Sequence, residues 1–119
     1  MNSTLKKNND FIKIRIQIKK NFYIGPGKIL LLEAILQEGS ISSAAKSIGM
    51  SYKKAWSLVN EINISSKNKM VITHTGGKGV RGTKISEEGV NFIKSFRAIE
   101  EKVLKASEKE KDNLYKIFN

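Results

Sequence analysis

The chain has 119 residues, of which 39% are hydrophobic, with one proline and no cysteine. It has room for one modest core and excludes both a disulfide framework and a thiolate metal site. No apolar run approaches the roughly 20 residues of a membrane span, and residues 1–10 are polar and lysine-bearing rather than signal-like, so a cytoplasmic protein with no membrane partner is expected. The net charge of +11 points to a polyanionic partner, and it is unevenly placed: residues 46–84 hold eight Lys/Arg against the single acid Glu61, whereas 87–112 hold seven acids and six bases.

After a flexible stretch over 1–10, Ile12, Ile14, Ile16 and Ile18 alternate with Lys13, Arg15, Gln17 and Lys19, the period of a strand with one buried face, which stops near Asn21. Gly25-Pro26-Gly27 is a turn whose proline suits the entry of a helix over roughly 27–38. Ile29, Leu30, Leu31, Leu32, Ile35 and Leu36 cover more than one face of it, which predicts burial on several sides. Gly39 ends that helix, and Ser40 and Ser42 offer caps for a short helix over about 42–48. Beyond Gly49, Ser51 caps a third helix to about Asn63, with Ala55, Leu58, Val59 and Ile62 in one stripe and Lys53, Ser57 and Asn60 opposite.

Residues 70–75 and 83–86 read as a hairpin with the glycine-rich tip Gly76-Gly77-Lys78-Gly79-Val80-Arg81-Gly82. Ser86, Glu87 and Glu88 then open a last helix with a cap and with acids at its positive pole. Along it Phe92, Phe96, Ile99, Val103 and Ala106 recur at steps of four and three, a coiled-coil seam that Leu114, Ile117 and Phe118 extend past the charged 108–112 stretch.

The order strand, helix, helix-turn-helix, hairpin, helix predicts a mainly α fold with a small β component: a winged helix-turn-helix over 11–86 and a long C-terminal dimerisation helix over 87–119. In such a fold the second helix of the motif enters the major groove of double-stranded DNA. Ser42, Ser43, Ser51, Tyr52, Lys53, Lys54, Trp56, Ser57 and Asn60 are the expected contacts there, with Lys53 and Lys54 reaching phosphates or guanine edges and the short polar groups approaching bases. For Trp56 a second role is open, closing the edge of the core beneath the wing. Gly77, Lys78, Gly79 and Arg81 would bring wing backbone and charge to the duplex. The tip formally matches G-x-G-x-x-G, but that fingerprint needs a strand leading into a helix, and here a strand follows. An anion nest at the same glycines is the weaker alternative. His74 stands alone, so neither a catalytic triad nor a metal site is expected, and no cofactor.

The stretches Gly39-Ser40-Ile41-Ser42-Ser43-Ala44-Ala45-Lys46, Gly49-Met50-Ser51-Tyr52-Lys53-Lys54-Ala55-Trp56 and Thr75-Gly76-Gly77-Lys78-Gly79 resemble the amino-terminal domain of the ModE family of molybdate-responsive regulators and, more distantly, the LysR-type DNA-binding domain. The resemblance covers roughly residues 12–100 and implies a dimeric winged helix on a palindromic operator. Family wings often continue as an all-glycine tip preceded by an arginine. Here Val80 and Arg81 interrupt the glycines and Thr73 stands at the arginine position, which implies a different base preference. The family senses molybdate through carboxy-terminal Mop-type domains. Because this sequence ends at Asn119, the expectation is a homodimeric regulator without that sensor, controlled by no effector or by a separate effector-sensing partner protein. The competing expectation is an architectural or protein-interaction module in which the coiled-coil helix is the working part and the basic face only holds DNA or RNA nonspecifically.

Overall fold

The computed structural model describes residues 12–74 and 82–119. The chain runs β1 (Ile16–Lys19), β2 (Phe22–Ile24), α1 (Pro26–Glu38), α2 (Ile41–Ser47), α3 (Tyr52–Ser65), β3 (Val71–His74), β4 (Gly82–Ile85), α4 (Glu87–Ala106) and α5 (Glu108–Phe118). The strands form two separate antiparallel pairs, β1–β2 and β3–β4. This is the mainly α winged helix-turn-helix that the sequence predicts.

The alternating isoleucines do not make one strand. Only residues 16–19 pair, with Ile16 opposite Ile24 and a register irregularity between Gln17 and Lys19 that leaves Ile18 46% exposed. The chain turns back at Lys20 and Asn21, and the returning β2 brings in the buried side chains, Phe22 and Ile24. A bulge adds one residue to one strand and so breaks the alternation that would have buried Ile18.

Helix α1 is the centre of the core. Pro26 lies in its first turn, Ile29, Leu31, Leu32, Ala34 and Ile35 are buried, and the Gly39 N–H closes it on the Ile35 carbonyl at 2.9 Å. Leu30 and Leu36 remain about half exposed, so burial covers most of the circumference but not all of it. Ser40 Oγ accepts the Ser43 N–H to start α2 and Ser51 Oγ accepts the Lys54 N–H to start α3. Each satisfies a helix N–H that has no partner within its own helix. Between them Gly49 takes a left-handed φ of 70°, and the Met50 N–H bonds the Ala45 carbonyl at 2.9 Å, which fixes the tight turn of the motif.

Ser86 Oγ caps α4 through the Gly89 N–H, with Glu87 and Glu88 in the first turn as expected. The helix ends at Ala106. Ser107, whose hydroxyl donates to the Val103 carbonyl, separates it from α5, so the long C-terminal helix is two segments rather than one. The first half of α4 packs on α1, where Arg97 reaches across to donate from Nη2 and Nε to the two carboxylate oxygens of Glu33, at 2.6 and 2.9 Å, and from Nη1 to Glu100 at 2.6 Å. These charge-assisted bonds hold the Arg97 pKa above its already high ordinary value.

Candidate nucleic-acid interface

Helix α3 advances 100° per residue, which aligns Lys53, Ser57 and Asn60 along its outer face and Ala55, Val59 and Ile62 along the opposite one. The first three are exposed and the second three buried. The outer line therefore lies free along the helix. Ile64, 75% exposed, falls on the same line, a residue that the sequence reading passed over although a step of seven from Ser57 and of four from Asn60 leads to it. Ser51 is exposed, but one lone pair of its hydroxyl is committed to the Lys54 N–H, which leaves it chiefly a donor. Lys46, Lys53 and Lys54 are exposed, as are Ser42 and Ser43 on the first turn of α2.

Tyr52 and Trp56, one turn apart on the wing side of α3, are 53% and 45% exposed. Together with Ser40, Ile41, Ser42, Thr73, Gly82 and Thr83 they line a shallow cleft of about 200 Å³ between the helix-turn-helix and the wing strands. Trp56 thus borders the wing while keeping almost half of its surface open, the geometry of both roles weighed for it. Gly77, Lys78, Gly79 and Arg81 lie outside the described residues. His74 is exposed at the end of β3, opposite Gly82, and among the described residues no group of three or more acidic or imidazole side chains could hold a metal ion.

The one acid of the basic segment, Glu61, pairs with Lys28, whose ammonium is 3.5 Å from its carboxylate. Lys28 is itself buried, donating to the Tyr23 carbonyl at 2.9 Å and lying 4.1 Å from the centre of the Tyr23 ring. A buried ammonium is tolerated only when paired and hydrogen-bonded, and this one ties the β1–β2 hairpin, α1 and α3 together. It also commits the only negative side chain of residues 46–84 to a local cation, so the remaining field of that segment is positive.

The apolar residues expected to join two copies divide between two environments. Phe96 is buried in the protomer's own core and Phe92 packs partly against it, so these two stabilise the protomer; α4 packs there on both α1 and β4. Ile99 is 44% exposed, Val103 half-buried and Ala106 exposed. Farther along, Leu114, Ile117 and Phe118 are 53%, 76% and 79% exposed. Between α3 and the wing stands a residue that sequence reasoning missed, Asn63, whose side chain bonds the backbone of Met70 and Val71.

These features define a winged helix-turn-helix with an open, basic second helix. In sequence the domain is of the ModE type. Over 85 residues the chain is 36% identical to the DNA-binding transcriptional dual regulator ModE of Escherichia coli K12, an alignment covering 71% of this chain and 32% of that protein. It is 35% identical over 83 residues to the molybdenum-pterin-binding protein MopA of Rhodobacter capsulatus, covering 70% and 31%, and 38% identical over 73 residues to the molybdenum transport protein ModE of Azotobacter vinelandii, covering 61% and 27%. The chain spans about a third of the length of these relatives. No protein-family model matches it. In fold it is similar to the protein of a crystal structure of a CbnR_DBD–DNA complex, with a TM-score of 0.56, 15% identity, and coverage of 74% of this chain and 95% of that one. No helix among the described residues is long and apolar enough to cross a membrane.

Proposed function

We propose that this chain is a transcription regulator that binds double-stranded DNA, that it recognises its operator sequence-specifically as a homodimer, and that it is not an enzyme. The observation that carries the reading is the outer line of α3: Lys53, Ser57 and Asn60, exposed along a helix whose other face is core, within a segment of eight cations whose single acid is engaged by Lys28. Lysine there supplies phosphate attraction, while serine and asparagine supply the directional hydrogen bonds by which base edges are told apart. Relatives named as DNA-binding or transcriptional regulators, and a fold neighbour in complex with DNA, support the same reading. The wing adds backbone grip, and residues 87–119 bring two copies together.

Selection of bound duplexes from a random pool tests it. The expected result is an enriched inverted repeat, with half-sites about one helical turn, roughly 34 Å, apart or a multiple of that. A bound pool without a consensus would instead identify an architectural module that holds duplex nonspecifically. Within the recovered site, Lys53→Ala and Asn60→Ala should each weaken specific binding by about 1–3 kcal/mol without lowering the melting temperature. Unchanged affinity in both variants would mean that another face enters the groove.

A further inference from the structure

Asn63 lies in the last turn of α3, on the edge of the helix shared by Tyr52 and Trp56, and its carboxamide meets three backbone groups of the wing. Nδ2 donates to the Val71 carbonyl at 2.9 Å, and Oδ1 accepts the N–H groups of Met70 and Val71, each at 3.0 Å. Val71 is the register partner of Ile85 on β4, yet both of its own backbone polar groups go to Asn63. A carboxamide carries the same donor and acceptor as a peptide group, so one side chain of α3 stands in for a neighbouring strand at the open edge of β3. The wing is fixed a second time where the Thr83 N–H bonds the Gly39 carbonyl at 2.7 Å. There Gly82 has a φ of 139°, and a Cβ on it would come within 3.2 Å of that same oxygen. This second joint ties the wing to the end of α1. Asn63 ties it to the helix that presents Lys53, Ser57 and Asn60.

We propose that Asn63 is a positioning residue for DNA recognition: it touches no DNA but fixes the wing relative to α3, so that both reach one duplex together. The proposal rests on the DNA-binding reading above. Two elements held at a fixed spacing bind as one unit, whereas a wing tied only to the end of α1 at Gly39 keeps more freedom relative to α3, which binding must then remove.

The test is Asn63→Ala in the full chain, assayed on the selected duplex at several salt concentrations and below the variant's melting temperature. Amide exchange should show protection lost at Met70 and Val71 and kept at Leu32 and Ile35. Affinity should fall about tenfold. The slope of log affinity against log salt should flatten by about one unit, as when one phosphate contact is lost. The consensus should stay the same, because the outer line of α3 is untouched, and the loss should add to that of Lys53→Ala. If Asn63→Ala is unfolded under assay conditions, Asn63→Ser, whose hydroxyl is too short to span the three groups, carries the same expectation. A folded variant with wild-type affinity and salt slope overturns the proposal while leaving the proposed function standing. A wild-type chain that binds no duplex overturns both.

Discussion

The helix-turn-helix body and the C-terminal arm are built from similar apolar spacings and end in opposite states. In α1 five aliphatic side chains are buried, and α3 buries Ala55, Val59 and Ile62 with Leu58 partly buried beside them. In α5 no residue is buried, and Leu114, Ile117 and Phe118 stand more than half exposed beside a run of alternating charge. The molecule is correspondingly long: its principal extent is 59 Å and its radius of gyration 16.6 Å, against about 13.5 Å for a compact chain of this length. The same three-four repeat thus specifies core where a neighbouring element lies within reach, and leaves Leu114, Ile117 and Phe118 exposed in α5. Exposed apolar residues in such a series are the kind of surface that a second copy covers, which is why the proposed dimer is assigned to the arm rather than to the body.

The contrast predicts a descending order of stability effects. Leu32→Ala removes a fully buried side chain from the centre of α1 and should lower unfolding free energy by about 2–5 kcal/mol, measured by denaturant titration. A smaller loss would mean that the body is packed no better than the arm.

Arg97→Ala acts where the two regions meet. It strips Glu33 of a two-pronged partner and Glu100, whose side chain is only 7% exposed, of its cation. Because Arg97 itself is 35% exposed, the cost should fall below that of a fully buried pair, at about 2–3 kcal/mol. Amide exchange should locate the weakening at the contact between α1 and α4. If the first half of α4 stayed fully protected, its apolar contacts alone would account for the joint.

The smallest effect on the protomer should come from Ile99→Glu combined with Val103→Glu, about 1 kcal/mol, because Ile99 is 44% exposed and Val103 only half-buried. In sedimentation the same variant should move from dimer to monomer and lose most of its operator affinity. A fall of several kcal/mol would place these residues in the protomer's own core, alongside Phe96. A wild-type chain that sediments as a monomer at micromolar concentration would remove the dimer altogether.

Much of the candidate interface could be read in advance because it is written in short-range rules. Ser40, Ser51 and Ser86 each cap the helix that follows, within three residues of the N–H they accept. The two faces of α3 follow from the helical period alone. Ile18 defeated the same kind of reading, because a register irregularity inside a two-stranded pair changes which residues face inward without leaving a mark on the alternation. Phe96 defeated it differently: a helical seam states that a face will be covered, and says nothing of whether its own domain or another copy covers it.

By itself, then, the sequence determined the order of elements, the caps, the outward line of α3 and the concentration of positive charge around it, all consequences of interactions within about one helical turn. Tertiary structure alone decided the β2 return, the burial of Lys28 against Glu61, the clamp of Asn63 on Met70 and Val71, and the bridge from Arg97 to Glu33, which joins side chains 64 positions apart. A polar residue in a sequence carries no periodic signal of its partner. Its pairing is fixed only when packing brings a complementary group within about 3 Å and withdraws the water that would otherwise have satisfied it.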